Sequence, residues 1–223
     1  MTDQLPLAAN SGHLARPAGP APWPALVVIH EWLGLDDQTR RIADRFAAEG
    51  YLSFAPDLFH GEQAPPGDRE AAMRLVGKYA PSAIADLAGV CDALATHADA
   101  TGKLGAVGFC YGGRMALALA VSHPLDAVCT FYGGGMQQMF DQLERIKCPV
   151  LGLFGDQDVS IPTGTIEEFD RLLDRAGVEH EVTVYPAAGH GFFRDSDLTA
   201  YRPEAAQDAW QKATGFFSRH LKS

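Results

Sequence analysis

The chain has 223 residues, 47% hydrophobic and 21% charged. That suits one large domain with a real core and lies outside the composition of disordered chains. Acids outnumber bases 28 to 18, a net charge of −10, which disfavours broad contact with nucleic acid or anionic membranes but not a small anionic substrate held by local arginines.

The opening MTDQLPLAANSGHLARPAG has no apolar core of signal-peptide length, and residues 1–20 read as a less regular segment. No apolar run approaches the roughly 20 residues of a membrane span. LVVIH (26–30) reads as a strand, and DQTRRIADRFAAEG as a helix with Ile42 and Phe46 on one face and Gly50 as its stop. YLSFAPD (51–57) is a second strand, followed by a Pro/Gly-rich loop over 58–67. Helical patterns fill 68–79 and 82–98. Strand 104–109, helix 111–122, strand 127–133, a further helical piece, strand 150–155, helix 163–176 and strand 181–186 follow. A last helix over about 204–221 carries Trp210, Phe216, Phe217 and Leu221.

Alternating strands and helices predict one α/β domain spanning 1–223, with a mostly parallel sheet covered by helices on both faces. Chemistry in such sheets gathers at the C-terminal strand ends. His30-Glu31, Asp57, Cys110, Gly133, Asp156 to Asp158 and His190 all fall there.

Cys91, Cys110, Cys129 and Cys148 recur every 19 residues, but their flanks do not repeat and none forms a C-x-x-C pair. A reduced, cytoplasmic setting is the expectation. Cys110 stands apart because it lies in VGFCYGGRM, a strand running through a glycine-rich turn into a helix. A phosphate loop would need lysine and a hydroxyl where Arg114 and Met115 stand. A cysteine phosphatase would need arginine where Ala116 stands. The third reading is a nucleophile elbow, with Gly108 and Gly112 flanking Cys110 at the tight turn and a helix N-terminus favouring a thiolate or an oxyanion. A buried structural cysteine is the plainer alternative.

Partners favour the elbow. An activated thiol needs a base and an orienting acid, in the chain order nucleophile, acid, histidine. FGDQD (154–158) supplies Asp156 and Asp158 after one strand, and AAGHGFF (187–193) supplies His190 after the next. Spacing favours Asp158 without excluding Asp156. His13, His97 and His220 read as surface residues, while His60, His123 and His180 fit no required position. HEWLGL (30–35) lies where loops of such folds donate an oxyanion-hole N–H. Glu31 there is either a solvated loop acid or a partner of the thiol, since burying it unpaired is costly.

With these residues placed, the sequence resembles the dienelactone hydrolase family of α/β-hydrolases, the carboxymethylenebutenolidases. The matching blocks are HEWLGLDDQTRRIADRFAAEGYLSFAPDLFHGE, GAVGFCYGGRMAL, LFGDQDVSIP and AGHGFFR. The resemblance implies a Cys110–His190–Asp158 triad, with Glu31 contacting the resting thiol and helping to deprotonate it. It also implies an oxyanion hole from the backbone N–H groups of Trp32 and Tyr111, and a substrate carboxylate bound by Arg194 and Arg69. Met73 and Val76 stand where well-known members carry larger rings, which puts the substrate, not the chemistry, in question. The implied reaction opens a carboxylated dienelactone to maleylacetate through a thioester, in a monomer, with no metal or organic cofactor. A general carboxylesterase or thioesterase is the alternative. A non-catalytic thiol sensor of oxidants would need neither His190 nor Asp158.

Overall fold

The computed structural model describes residues 11–222. Residues 1–10 of the expected less regular segment lie outside the described residues. Just after them, Gly12–Ala15 forms strand β1, which the sequence reading missed. It pairs antiparallel with β3 (Leu52–Pro56), His13 opposite Ala55. His13 is therefore a strand residue, with its ring bonded to Asp44 at 2.7 Å.

The other strands are β2 (Trp23–Ile29), β4 (Ala100–Phe109), β5 (Ala127–Phe131), β6 (Val150–Gly155) and β7 (His180–Tyr185). They form one sheet of order β1-β3-β2-β4-β5-β6-β7, parallel except at β1. The central strands are continuous apolar runs because both faces are covered: Ala25 to Ile29 have no exposed surface.

The helices are α1 (Asp37–Ala48), α2 (Arg69–Ala95), α3 (Tyr111–Ser122), α4 (Thr163–Ala176) and α5 (Pro203–Leu221). A 3-10 stretch, Met136–Arg145, links β5 to β6. On one face, Phe46 of α1 packs against Trp210 and Phe217 of α5, with ring centroids 4.5 and 5.9 Å apart. Gly105 of β4 looks toward the same helix, close to Leu221 and Phe217. Gly108 faces α3, and Gly152, which shares its face through Thr130, faces Phe169 of α4.

The two helices expected over 68–79 and 82–98 are one helix, α2, that runs through Pro81. Proline removes the hydrogen bond to the carbonyl four residues earlier, at Gly77. Both residues are on the exposed side of the helix, where water satisfies that carbonyl while the buried face stays continuous. Among the described residues no helix is long and apolar enough to cross a membrane.

Candidate active site

β4 ends in the turn that carries Cys110. The cysteine has φ 53° and ψ −116°, a left-handed strain that persists only where the surroundings enforce it. Two glycines allow the turn. A Cβ on Gly108 would lie 2.0 Å from the Gly112 carbonyl oxygen, and one on Gly112 would lie 2.3 Å from that of Ile29. Strand, elbow and the neighbouring β2 are thus in backbone contact, with no room for a side chain between them. Cys110 N–H is held by the Phe131 carbonyl at 3.0 Å. Tyr111 opens α3, so its N–H has no partner within the helix.

His190 lies on the loop after β7. Its Nδ1 is 2.7 Å from Asp158 Oδ2, and the imidazole shares the cleft with Cys110, the other group that acts on its charge. Burial opposes its protonation, but the interactions with Asp158 and Cys110 outweigh burial and push its pKa up to about 10. Asp158 is buried, and its Oδ1 accepts from the N–H groups of Ser160 at 2.8 Å and Ile161 at 3.2 Å. Those bonds aim Oδ2 at the imidazole. Asp156 is exposed, and among the described residues the histidine's carboxylate partner is Asp158.

Glu31 follows β2 and is 8% exposed. Its Oε1 accepts from the Tyr132 hydroxyl at 3.2 Å and its Oε2 from Arg194 Nη1 at 2.9 Å. Burial raises its pKa, and Arg194 and His190 pull the other way. These two bonds engage both carboxylate oxygens of Glu31, which walls the same cleft as Cys110. The Arg194 fork is occupied, since Nη2 donates to Asp36 Oδ2 at 2.7 Å. Burial alone would raise the pKa of Asp36, but Thr39 and Arg194 outweigh it and hold the carboxyl below its usual range.

The loop bearing Glu31 and Trp32 is pinned from beneath by His30, which has no exposed surface. The Leu58 N–H donates to His30 Nε2 at 3.2 Å, so Nδ1 carries the proton and donates to the Glu31 carbonyl at 2.6 Å. Burial lowers the pKa of this histidine and keeps it neutral. The Ala64 N–H donates to Leu33 O at 3.0 Å, tying the 58–67 loop to the same turn.

A cleft opens above Cys110, walled by Trp32, Arg69, Met73, His190 and Arg194. Arg69, the first residue of α2, places its guanidinium 5.6 Å from the Trp32 ring centroid. Met73 is half exposed on the next turn. Val76 packs against the core instead and is absent from the cleft walls. The sequence reading missed Tyr132 and Asp36. Tyr132 is fully buried with φ 37°, and its ring lies 5.2 Å from that of His190. Its sequence signal is that of a core aromatic at a strand end, while Asp36 carries only a helix-cap signal, which it also fulfils at Thr39.

Residues 11–221 match the model of the dienelactone hydrolase family. A Yersinia pestis protein named "Putative carboxymethylenebutenolidase" is 34% identical over 233 residues, covering 98% of this chain and 85% of its own. A Synechocystis protein of the same name is 31% identical over 95% of this chain and 92% of its own. The crystal structure of a "Putative Dienelactone Hydrolase" from Klebsiella pneumoniae superposes with a TM-score of 0.83 at 30% identity, covering 94% of this chain and 98% of that one. With its residues 11–221 matched, the chain belongs to the dienelactone hydrolase family, hydrolases that act on ester bonds.

Proposed function

We propose that this protein hydrolyses carboxylic esters or lactones with Cys110 as nucleophile, through a thioester acyl-enzyme. The observation that carries this reading is a strained Cys110 in one cleft with His190, whose Nδ1 is 2.7 Å from a buried Asp158. His190 is protonated at neutral pH and stabilises an attacking thiolate. The N–H groups of Trp32 and Tyr111 stabilise the oxyanion, each worth about 3 kcal/mol of barrier. His190 passes its proton to the departing oxygen. Acylation then removes the interactions with Cys110 that helped to raise its pKa, so the imidazole becomes a competent base. It takes a proton from water, which cleaves the thioester and frees Cys110, while Asp158 fixes the ring's tautomer.

On a carboxylated dienelactone this sequence yields maleylacetate, the substrate class suggested by the relatives' names. A second reading, a carboxylesterase acting on neutral esters, is favoured by the occupied fork of Arg194. A substrate carboxylate must displace Glu31 or Asp36 to use that fork, whereas a neutral ester leaves both pairs intact. Arg69, which walls the same cleft, is the second arginine available to an anionic substrate.

Hydrolysis of a small aryl ester by wild type and Cys110→Ala tests the nucleophile. A fall of about 10³-fold or more is expected, and unchanged turnover would remove Cys110 from the chemistry. Wild-type rates on matched carboxylated and neutral esters separate the two substrate readings.

A further inference from the structure

The cleft is larger than the surroundings of Cys110 require. An inner lobe of about 420 Å³ contains Cys110, His190, Met73 and Ser160. An outer lobe of about 450 Å³ is bounded by Leu33, Pro66 and Leu198. Glu31, Trp32, Arg69, Arg194 and Asp197 wall both lobes, so the lobes adjoin along these five residues. A compact lactone with its carbonyl at Cys110 is accommodated by the inner lobe alone, since sites of about 300–1,000 Å³ hold drug-sized ligands.

Two of the exposed apolar residues lie at the same place. Among the described residues, four large hydrophobic side chains are exposed: Met73, Val159, Val184 and Leu198. Met73 walls the inner lobe, Leu198 the outer lobe, and Val159 directly precedes Ser160 of the inner wall. Single exposed apolar side chains are ordinary, but Met73 and Leu198 wall the two lobes of one site, where an apolar ligand would meet both. The acids beside them are already engaged. Glu31 is paired with Arg194, Asp68 accepts from the Ala71 N–H at 2.9 Å, and Asp197 accepts from the Thr199 N–H at 3.0 Å.

We propose that the outer lobe binds the apolar arm of an elongated ester, so that the enzyme prefers a substrate with an aliphatic or aromatic extension over a compact lactone. The arm passes beside Trp32 and lies against Leu33, Pro66 and Leu198, while the scissile carbonyl stays at Cys110. This inference rests on the cysteine-hydrolase reading and adds a substrate class to it.

Two ester series test it: 4-nitrophenyl esters of acids from acetate to octanoate, and acetates of alcohols from ethanol to octanol. In one series kcat/KM should rise about 2- to 4-fold per methylene until the lobe is filled. Leu198→Asp should lower the octanoate-to-acetate (or octyl-to-ethyl) ratio at least about 10-fold, and Leu198→Met should retain it, with thermal melts showing both variants folded. Flat or falling profiles in both series would overturn the proposal, as would a rise that Leu198→Asp leaves intact. If Cys110→Ala abolishes acetate turnover while the wild-type profiles are flat, the arm site fails and the hydrolase reading stands.

Discussion

Arg194 Nη1 donates to Glu31 Oε2 at 2.9 Å, and both side chains are largely shielded from water, 16% and 10% exposed. Arg194→Ala would strand a buried carboxylate that burial already disfavours as a charge. The expected loss is about 3 kcal/mol at neutral pH. Without the arginine, the folded-state pKa of Glu31 rises further above its unfolded value. The loss should therefore grow as pH rises from 5 to 8, because protonation relieves the stranded charge at the acidic end. Urea unfolding of wild type and variant at both pH values measures this.

Asp158 and Asp156 stand two residues apart with opposite environments, one buried against His190 and one exposed. Asp158→Asn should reduce kcat by about 10²–10⁴-fold by favouring the wrong imidazole tautomer. Asp156→Asn should leave kcat within about twofold, since nothing ties it to the imidazole. Steady-state kinetics on one aryl ester checks both.

The imidazole of His190 should titrate near its raised value of about 10, and lower in Cys110→Ala, where two of the interactions that raise it are gone. Its folded pKa lies above the unfolded value of about 6.5. Its contribution to stability is therefore complete below pH about 6.5 and lost as pH rises through about 10. NMR titration of the ring protons in the two proteins measures the difference.

Gly112→Ala should destabilise the fold and inactivate the site together, because the new methyl would sit 2.3 Å from the Ile29 carbonyl oxygen. A stability loss toward the upper end of about 1–3 kcal/mol is expected. The thermal melt and the reactivity of Cys110 toward iodoacetamide should fall together.

The sequence made the central architecture readable because strands buried on both faces are unbroken apolar runs, as 150–155 is, and because α3 and α4 carry unmistakable helical patterns. The elbow was readable because only glycine fits at Gly108 and Gly112, and this leaves a pattern in the letters. β1 left no such mark, since four residues pairing along an edge need little apolar content. Pro81 was misleading because a helix tolerates it when the lost bond faces water. Arg194 was expected to bind a substrate carboxylate, and the two acids it holds, Glu31 and Asp36, are 163 and 158 residues away in the chain. Spacing cannot report a three-body ion network of that range. Tyr132 stayed hidden for a related reason, since a buried tyrosine at a strand end looks like core until its hydroxyl is seen on Glu31.

The missing bond at Gly77–Pro81 divides α2 into unequal duties. Ahead of it lie Arg69 and Met73, which face the cleft. Behind it lie Ala83, Leu87, Val90, Cys91 and Leu94, all without exposed surface. The front of the helix is a replaceable fitting on a fixed post. Its cleft-facing positions are free to drift toward new acyl or alcohol groups, while the rear is held against β4 and β2. Diversification of substrate within this fold therefore has a built-in place to start, two turns upstream of a proline.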